Sequence, residues 1–415
     1  MNSAMPDPSR DIAFDIVAAV LDKHRTIEDA LDAAPQAPAR DRAAAHRLAA
    51  ATLRRLGTLD AALEPYLRRE PPLPVRHVLR LGAAGLLLLA TPAHAAVATS
   101  VALARARGLS PFAGLVNAVL RRLAEQGSAA LDALDGPRLD TPAWLWSSWG
   151  AEARRIAEAH QREAPLDLTL KPGVAPPPGA EALPTGSARL PPGTRVPDLP
   201  GYAEGVFWVQ DAAAALPARL LDARPGERVA DLCAAPGGKT AQLALTGAHV
   251  TAVERDPKRF ELLRRNLARL RLDAATVEAD ALAWGEPGTF DAVLLDAPCT
   301  ATGTIRRHPD VMRLRRPRDV ATLVQAQSRL VAAASRLLRP GGRLVYAVCS
   351  LQAEEGPGRL GSLDGLPLQP DPIRPEELHG LPQAVTPEGW LRTNPSLWPE
   401  RGGMDGFFAA RFRRL

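Results

Sequence analysis

The stretch VADLCAAPGGKT (229–240) joins a short apolar strand to the start of a helix through a turn that contains two glycines. Four further strand-like stretches alternate with helical ones: HVTAV (249–253), ATVEA (275–279), DAVLLD (291–296) and RLVYAV (343–348). This alternation predicts βαβ units and a mostly parallel sheet, and therefore an α/β fold class. Ligands of such sheets bind at the carboxyl ends of the strands.

Several interpretations of the glycine turn compete. Gly238-Lys239-Thr240 matches the last three residues of a Walker A motif, but that motif also requires a glycine at position 233, which is cysteine here. The dinucleotide motif G-x-G-x-x-G is also absent from the turn. What remains is a turn whose backbone N–H groups approach an anionic or polar ligand, or a tight turn that binds nothing.

Acidic residues stand at the ends of the next three predicted strands, namely Glu254, Asp280 and Asp296. An acid at the tip of the second strand is placed to accept hydrogen bonds from the ribose of an adenosine-containing ligand. Each acid alone is more often a capping or solvated residue, but three of them around one turn indicate a nucleoside pocket. Because the first Walker glycine is missing, S-adenosylmethionine is a better prediction than ATP.

Two cysteines follow strands of the same sheet: Cys299 in DAPCTATGTIRRHPD (296–310) and Cys349 in VYAVCS (345–350). A lone cysteine is usually a small buried hydrophobe, whereas two beside one pocket indicate chemistry. Zinc is not predicted, because further cysteines and a histidine at ligand spacing are lacking. Methyl transfer from S-adenosylmethionine to carbon 5 of cytosine is one reaction that uses thiols. A thiolate that adds to carbon 6 makes carbon 5 nucleophilic enough to accept the methyl group, and a base must then remove the carbon 5 proton.

The amino-terminal part has a different pattern. Residues 9–135 are rich in Ala, Leu and Arg, and IAFDIVAAVLD (12–22) and RAAAHRLAAATLRRL (42–56) have apolar residues at helical spacing, which predicts an all-helical domain. The uncharged span after Arg80 is interpreted as a buried helix pair and not as a membrane span, because Pro92 and His94 interrupt it.

A proline-rich segment follows the helical part. Ten prolines stand between positions 165 and 200, a density that we expect to exclude helices and central strands. The segment is predicted to be a linker or an irregular small subdomain.

Composition limits the functional classes. The chain has 415 residues, of which 46% are hydrophobic and 23% charged, and three are cysteines, which excludes a disordered protein and a disulfide framework. The start MNSAMPDPSRD has no basic stretch followed by an apolar run, so a cytoplasmic location is expected. Residues 301–350 contain ten arginines and two aspartates, a local net charge of +8, which indicates either nucleic-acid binding or an arginine-rich solvated face.

Taken together, these motifs resemble the Sun family of RNA (cytosine-5) methyltransferases. The resemblance includes CAAPGGKT, the two cysteine motifs with Glu354 and Glu355 behind the second, VQDAAAA (209–215) and DGFFAARF (405–412). Residues 10–125 resemble the NusB-type helical domain fused to the family's bacterial small-subunit ribosomal RNA enzyme. The implied organisation is a NusB-like all-α domain (1–137), a Pro-rich connecting subdomain (138–204) and a Rossmann-like S-adenosylmethionine-dependent methyltransferase domain (205–415).

The resemblance also implies roles for residues at matching positions. Glu254 corresponds to the family's ribose-binding acid, and Asp280 and Asp296 to the remaining acids that bind S-adenosyl-L-methionine. The family nucleophile is the later cysteine, here Cys349, and Cys299 is the cysteine that assists product release. The implied cofactor loop consists of Cys233, Ala234, Ala235, Pro236, Gly237, Gly238 and Lys239.

The activity implied is methyl transfer to carbon 5 of a cytosine in small-subunit ribosomal RNA, by a monomer that uses neither a metal nor a membrane. Two alternatives stay open: the same chemistry on transfer RNA, and a non-catalytic RNA-binding factor in ribosome assembly or antitermination. A P-loop NTPase is disfavoured by Cys233.

Overall fold

The computed structural model describes residues 7–34, 37–363 and 365–415. The chain divides into two compact units. The helical unit contains the described residues up to Glu163 together with Ile305–Arg315, and the sheet unit contains Ala164–Thr304 and Arg316–Leu415. No helix in the described ranges is long and apolar enough to cross a membrane. The division into three domains with boundaries after residues 137 and 204 stays a prediction.

The α-helices are α1 (Pro8–Lys23), α2 (Ile27–Asp32), α3 (Ala39–Arg54), α4 (Leu56–Leu63), α5 (Leu73–Leu87), α6 (Ala93–Ala106), α7 (Ala113–Gln126), α8 (Ala129–Asp132), α9 (Gly136–Asp140), α10 (Ala143–Trp149), α11 (Ala153–His160), α12 (Leu216–Leu220), α13 (Gly238–Ala244), α14 (Pro257–Leu270), α15 (Val311–Leu314) and α16 (Pro317–Leu337). The strands are β1 (Leu166–Leu170), β2 (Glu181–Ala182), β3 (Ala188–Leu190), β4 (Phe207–Val209), β5 (Arg228–Leu232), β6 (His249–Glu254), β7 (Ala275–Glu278), β8 (Phe290–Asp296), β9 (Leu338–Val348), β10 (Leu368–Pro370), β11 (Leu391–Arg392) and β12 (Phe408–Arg414).

The helical unit forms as the apolar spacing predicts. α1 begins after the N-cap Asp7, whose side chain accepts a hydrogen bond from Ser9 N, and its apolar face is buried. The uncharged span forms α5 and α6, which contribute buried residues to the core, so the predicted buried helix pair is confirmed. A glycine is needed at position 82 of α5, because a Cβ there would lie 2.4 Å from the Leu120 side chain.

The second half of the Pro-Cys motif belongs to the helical unit. Asp310 is buried, and its Oδ2 accepts a hydrogen bond from Ile27 N, at the start of α2, at 3.1 Å. Arg54 donates to the Arg306 carbonyl at 3.0 Å. Leu314 of α15 packs against the helical core. A loop that begins in the sheet unit therefore completes the core and the hydrogen bonding of the helical unit.

The proline-rich segment supplies three strands of a small antiparallel sheet with the order β2-β3-β1-β4, and the fourth strand, β4, follows the segment. The expectation of no central strand is therefore wrong, because β1 lies between β3 and β4. The strands β1 and β3 contain no proline, so every backbone N–H needed for their pairing is present. Asp167 on β1 and Arg189 on β3 form a buried bidentate ion pair at 2.6 and 2.7 Å.

The large sheet has the order β10-β12-β9-β8-β5-β6-β7, and β11 pairs with β12. The strands β5 to β9 are parallel, whereas β12 runs antiparallel to β9. From β5 the chain extends the sheet through β6 and β7 on one side and then returns to add β8 and β9 on the other. The carboxyl ends of β5 and β8 therefore flank the point where strand order reverses, which is where such sheets bind ligands.

Candidate active site

The glycine turn begins at the carboxyl end of β5. Cys233 and Gly237 both have positive φ, 60° and 101°. Glycine is favoured at position 237 because L side chains rarely adopt a φ of 101°, and a Cβ there would also lie 2.8 Å from the Leu263 side chain. Burial, reinforced by the Glu254 carboxylate, raises the pKa of the Cys233 thiol to about 12. Cys233 is therefore a neutral thiol beside the turn.

Two further carboxylates lie next to this turn. Lys239 Nζ donates a hydrogen bond to Asp296 Oδ2 at 2.7 Å and lies 5.2 Å from the centre of the Phe407 ring. Burial lowers the pKa of Lys239, but the Asp296 carboxylate outweighs burial and the pKa is raised overall. Asp231 is fully buried, its Oδ2 accepts from Thr240 Oγ1 at 2.6 Å, and burial raises its pKa to about 7. Sequence reasoning missed Asp231, although it lies within the motif that indicated the turn.

Glu254 is the buried acid at the tip of β6. Its Oε1 accepts hydrogen bonds from Arg255 N at 2.9 Å and Asp256 N at 3.0 Å. Its Oε2 is buried and accepts no hydrogen bond from the described residues, and the nearest cation, Arg259 Nη1, is 3.6 Å away. A buried carboxylate oxygen without a donor is unusual and marks a position where a ligand hydroxyl would fit.

Asp280 differs from the other two predicted acids. It is exposed, lies two residues beyond the end of β7, and its Oδ1 accepts from Leu282 N at 3.0 Å. Glu254 and Asp296 are the last residues of the parallel strands β6 and β8, and Asp280 follows β7, so all three lie at the carboxyl edge of the sheet.

The structure brings the two predicted catalytic cysteines together. Cys299 Sγ and Cys349 Sγ are 3.4 Å apart, Cys299 is buried and Cys349 is half-buried. The hydrogen bond with Cys349, burial and the negative charges of Cys349 and Glu355 raise the pKa of the Cys299 thiol well above its usual value. These surroundings favour the protonated form of Cys299, and its sulfur lies within hydrogen-bond distance of the Cys349 sulfur.

Neither interpretation of the arginines in residues 301–350, a nucleic-acid contact or a solvated face, fits two of them. Arg306 is 1% exposed, and Arg313 donates to the carbonyls of Leu53 at 3.2 Å and Asp140 at 2.8 Å. Burial lowers the pKa of Arg313 to about 10. These two arginines lie inside the helical unit and do not present their charge to a phosphate.

Comparison with known proteins identifies the family to which this chain belongs. A family model described as 16S rRNA methyltransferase RsmB/F matches residues 218–413, and the NusB family model matches residues 7–125. The ribosomal RNA small subunit methyltransferase B of Xanthomonas campestris pv. campestris is 39% identical over 379 residues, which cover 84% of this chain and 85% of that protein. The chain belongs to the RsmB/F family. This membership confirms the resemblance that the motifs indicated.

Other members of the RsmB/F family match over nearly the whole length. The ribosomal RNA small subunit methyltransferase B of Xylella fastidiosa (strain 9a5c) is 36% identical over 427 residues, covering 96% of this chain and 99% of that protein. The crystal structure of PH0851 superposes with a TM-score of 0.75 over 98% of this chain and 99% of that chain, and at 22% identity it shows a shared fold. A methyltransferase homolog protein from Pyrococcus horikoshii has a TM-score of 0.53 and 28% identity over 68% of this chain and 96% of that chain. The predicted fold class, a Rossmann-like methyltransferase sheet preceded by NusB-like helices, is thereby confirmed.

Proposed function

We propose that this chain transfers a methyl group from S-adenosylmethionine to carbon 5 of a cytosine in small-subunit ribosomal RNA, through a covalent bond between Cys349 and carbon 6. The observation that supports this best is the 3.4 Å distance between Cys349 Sγ and Cys299 Sγ. Two thiols at this distance, in loops that follow β8 and β9 of a methyltransferase sheet, can act on adjacent carbons of one pyrimidine ring.

The residues at the edge of the sheet fit the cofactor. The buried Oε2 of Glu254 has no donor among the described residues, so a ribose hydroxyl would satisfy it. The turn at 233–239 approaches the same edge without a side chain at Gly237 or Gly238. Asp280 and Asp296 are proposed to complete the pocket. S-adenosylmethionine, when bound, supplies an electrophilic methyl group.

The reaction needs a thiolate first and a base afterwards. The Cys349 sulfur forms a bond to carbon 6, and the electron pair of the carbon 5–carbon 6 double bond becomes available at carbon 5 for methylation. A base then takes the carbon 5 proton, the double bond re-forms, and the bond between sulfur and carbon 6 breaks. We assign the base to Cys299 and the nucleophile to Cys349.

Electrostatics supports this order of the cysteines. Cys299 keeps its proton because a hydrogen bond to Cys349, burial and nearby negative charge raise its pKa and oppose its ionisation. Its S–H is therefore available to donate to the Cys349 sulfur, which lies 3.4 Å away. Once Cys349 is bonded to carbon 6 it is a neutral thioether, so the largest obstacle to Cys299 ionisation disappears. Cys299 can then become the base at the step that requires one.

The target base and RNA can be tested directly. Bisulfite sequencing of RNA from cells with and without this gene should show one class of 5-methylcytosine that disappears on deletion. Complementation with the wild-type gene, but not with Cys349→Ala, should restore it. Loss confined to small-subunit ribosomal RNA supports the proposal, loss confined to transfer RNA establishes the alternative substrate, and no change in either RNA contradicts the proposed activity.

A further inference from the structure

A buried carboxylate lies directly behind the cysteine pair. Glu355 is 0% exposed, and each of its oxygens accepts two hydrogen bonds. Oε1 accepts from Thr300 N at 2.9 Å and from Gln327 Nε2 at 3.1 Å. Oε2 accepts from Thr300 Oγ1 and from Ser350 Oγ, both at 2.5 Å. All four donors are neutral, and no ion pair of Glu355 is found among the described residues.

These donors are the chain neighbours of the two cysteines. Thr300 follows Cys299, and Ser350 follows Cys349. The two turns come from different strands, β8 and β9, and Thr300 Oγ1 lies 3.1 Å from Ser350 Oγ. One carboxylate therefore joins both cysteine-bearing turns at the position adjacent to each sulfur.

The surrounding contacts fix the carboxylate in turn. Gln327 of α16 donates to Pro298 O at 3.0 Å as well as to Glu355. The Tyr346 hydroxyl lies 2.7 Å from the Glu355 carbonyl and 3.1 Å from Gln327 Oε1. Each polar group in this cluster thus has a partner, which is what makes a buried polar network rigid.

We propose that Glu355 is a positioning residue, which holds Cys299 and Cys349 in register for the two steps of the reaction by tying Thr300 and Ser350 to one carboxylate. The inference rests on the proposed function of the cysteines. A carboxylate buried without a cation is costly, so packing alone does not explain it. Its charge has a second consequence, because Glu355 is among the groups that raise the pKa of Cys299.

The sulfur-to-sulfur geometry can be measured without RNA or cofactor. In a glutathione buffer, the two thiols are oxidised to a disulfide while one oxidised glutathione is reduced to two molecules of glutathione, and mass spectrometry reports the fraction formed. We expect Glu355→Ala to lower the equilibrium constant for this disulfide about tenfold, because the sulfurs lose their enforced proximity. Glu354→Gln, at an exposed neighbouring position, is the matched control and should behave as wild type.

The isosteric variant Glu355→Gln keeps the test interpretable if the alanine variant does not fold. Its affinity for S-adenosylmethionine should stay within about twofold of the wild-type value. The pH at which Cys299 becomes reactive toward an alkylating reagent should fall, because the negative charge of Glu355 is gone. In a methylation assay kcat should fall by up to about 100-fold with KM nearly constant, since small misplacements have costs of that order. A purely structural role would lower the melting temperature without changing the pH profile or kcat of the folded protein.

Each outcome distinguishes this inference from the proposed function. An unchanged disulfide equilibrium in Glu355→Ala, together with an unchanged alkylation profile in Glu355→Gln, would overturn the positioning role, whatever the RNA assay shows. If instead wild-type protein makes no 5-methylcytosine while the disulfide and alkylation results are as expected, the proposed function is wrong and the geometric role of Glu355 stands.

Discussion

At the scale of single residues, the two oxygens of Glu254 have different surroundings. Oε1 accepts hydrogen bonds from two backbone N–H groups of the loop that follows Glu254, whereas Oε2 has no donor among the described residues. We predict that Glu254→Gln, which keeps the first acceptor and replaces the second, weakens S-adenosylmethionine binding by about 1–3 kcal/mol. Calorimetric titration measures this effect.

Glu278 provides a matched control for this prediction. It is the exposed acid that pairs in register with Glu254 on the neighbouring strand. Glu278→Gln should leave the affinity unchanged. Equal affinity in both variants and wild type would remove Glu254 from the pocket.

Asp231 makes stability depend on pH. Its pKa is about 7 in the folded protein against an ordinary value of 3.8, because burial disfavours the charged form. When a carboxyl group binds its proton more tightly in the folded than in the unfolded state, the free energy of unfolding of the protein falls as pH rises from the unfolded pKa to the folded pKa. Asp231→Asn keeps an acceptor for Thr240, so relative to wild type it should gain about 2–3 kcal/mol in the free energy of unfolding between about pH 5 and pH 8. Urea unfolding at several pH values tests this, and parallel curves for the two proteins would contradict it.

At the scale of elements, the exposed arginines of α16 are the candidate source of positive charge that faces RNA, and the arginines of the preceding segment 305–315 that are buried are not. Arg318 and Arg329 lie on its exposed face, whereas Arg313 of α15 donates to carbonyls of the helical unit. We predict that Arg318→Ala with Arg329→Ala flattens the slope of log affinity against log salt by about 0.7–0.9 for each phosphate that is no longer neutralised. Arg313→Ala should lower the melting temperature and leave the slope unchanged. A slope that changes only in Arg313→Ala would reverse this assignment.

Local sequence patterns predicted the helices and strands well, and the contacts between distant parts of the chain poorly. The helical spacing of 12–22 and the apolar runs before the acids correspond to α1 and to β5 to β8, because these signals lie within one element. The small sheet was missed, since proline density hides short strands that prolines only flank. The burial of Arg306 could not be predicted either, because its surroundings come from residues some 250 positions away, such as Arg54. For the same reason the motif located both cysteines, but not the network through Glu355 that joins them.

At the scale of the whole molecule, the two units are not consecutive in sequence. Residues 305–315 lie within the catalytic half of the chain but supply the helical unit with the acceptor for Ile27 N and with apolar packing by Leu314. We predict that a fragment of residues 1–163 is stabilised by a peptide of residues 305–315, with a melting temperature that rises with peptide concentration. A peptide with Asp310→Ala should stabilise it by about 1 kcal/mol less, the usual cost of losing a cap at a helix start. No rise with either peptide would contradict this role of the segment.

The central claim is that Cys349 forms the covalent bond and Cys299 releases it. Each variant is first shown to bind S-adenosylmethionine, and is then incubated with RNA and cofactor and run on a denaturing gel. Cys299→Ala should accumulate a protein–RNA adduct, because attack occurs without the base that ends it. Cys349→Ala should form neither adduct nor 5-methylcytosine. An adduct that accumulates in Cys349→Ala and is absent from Cys299→Ala would contradict the account.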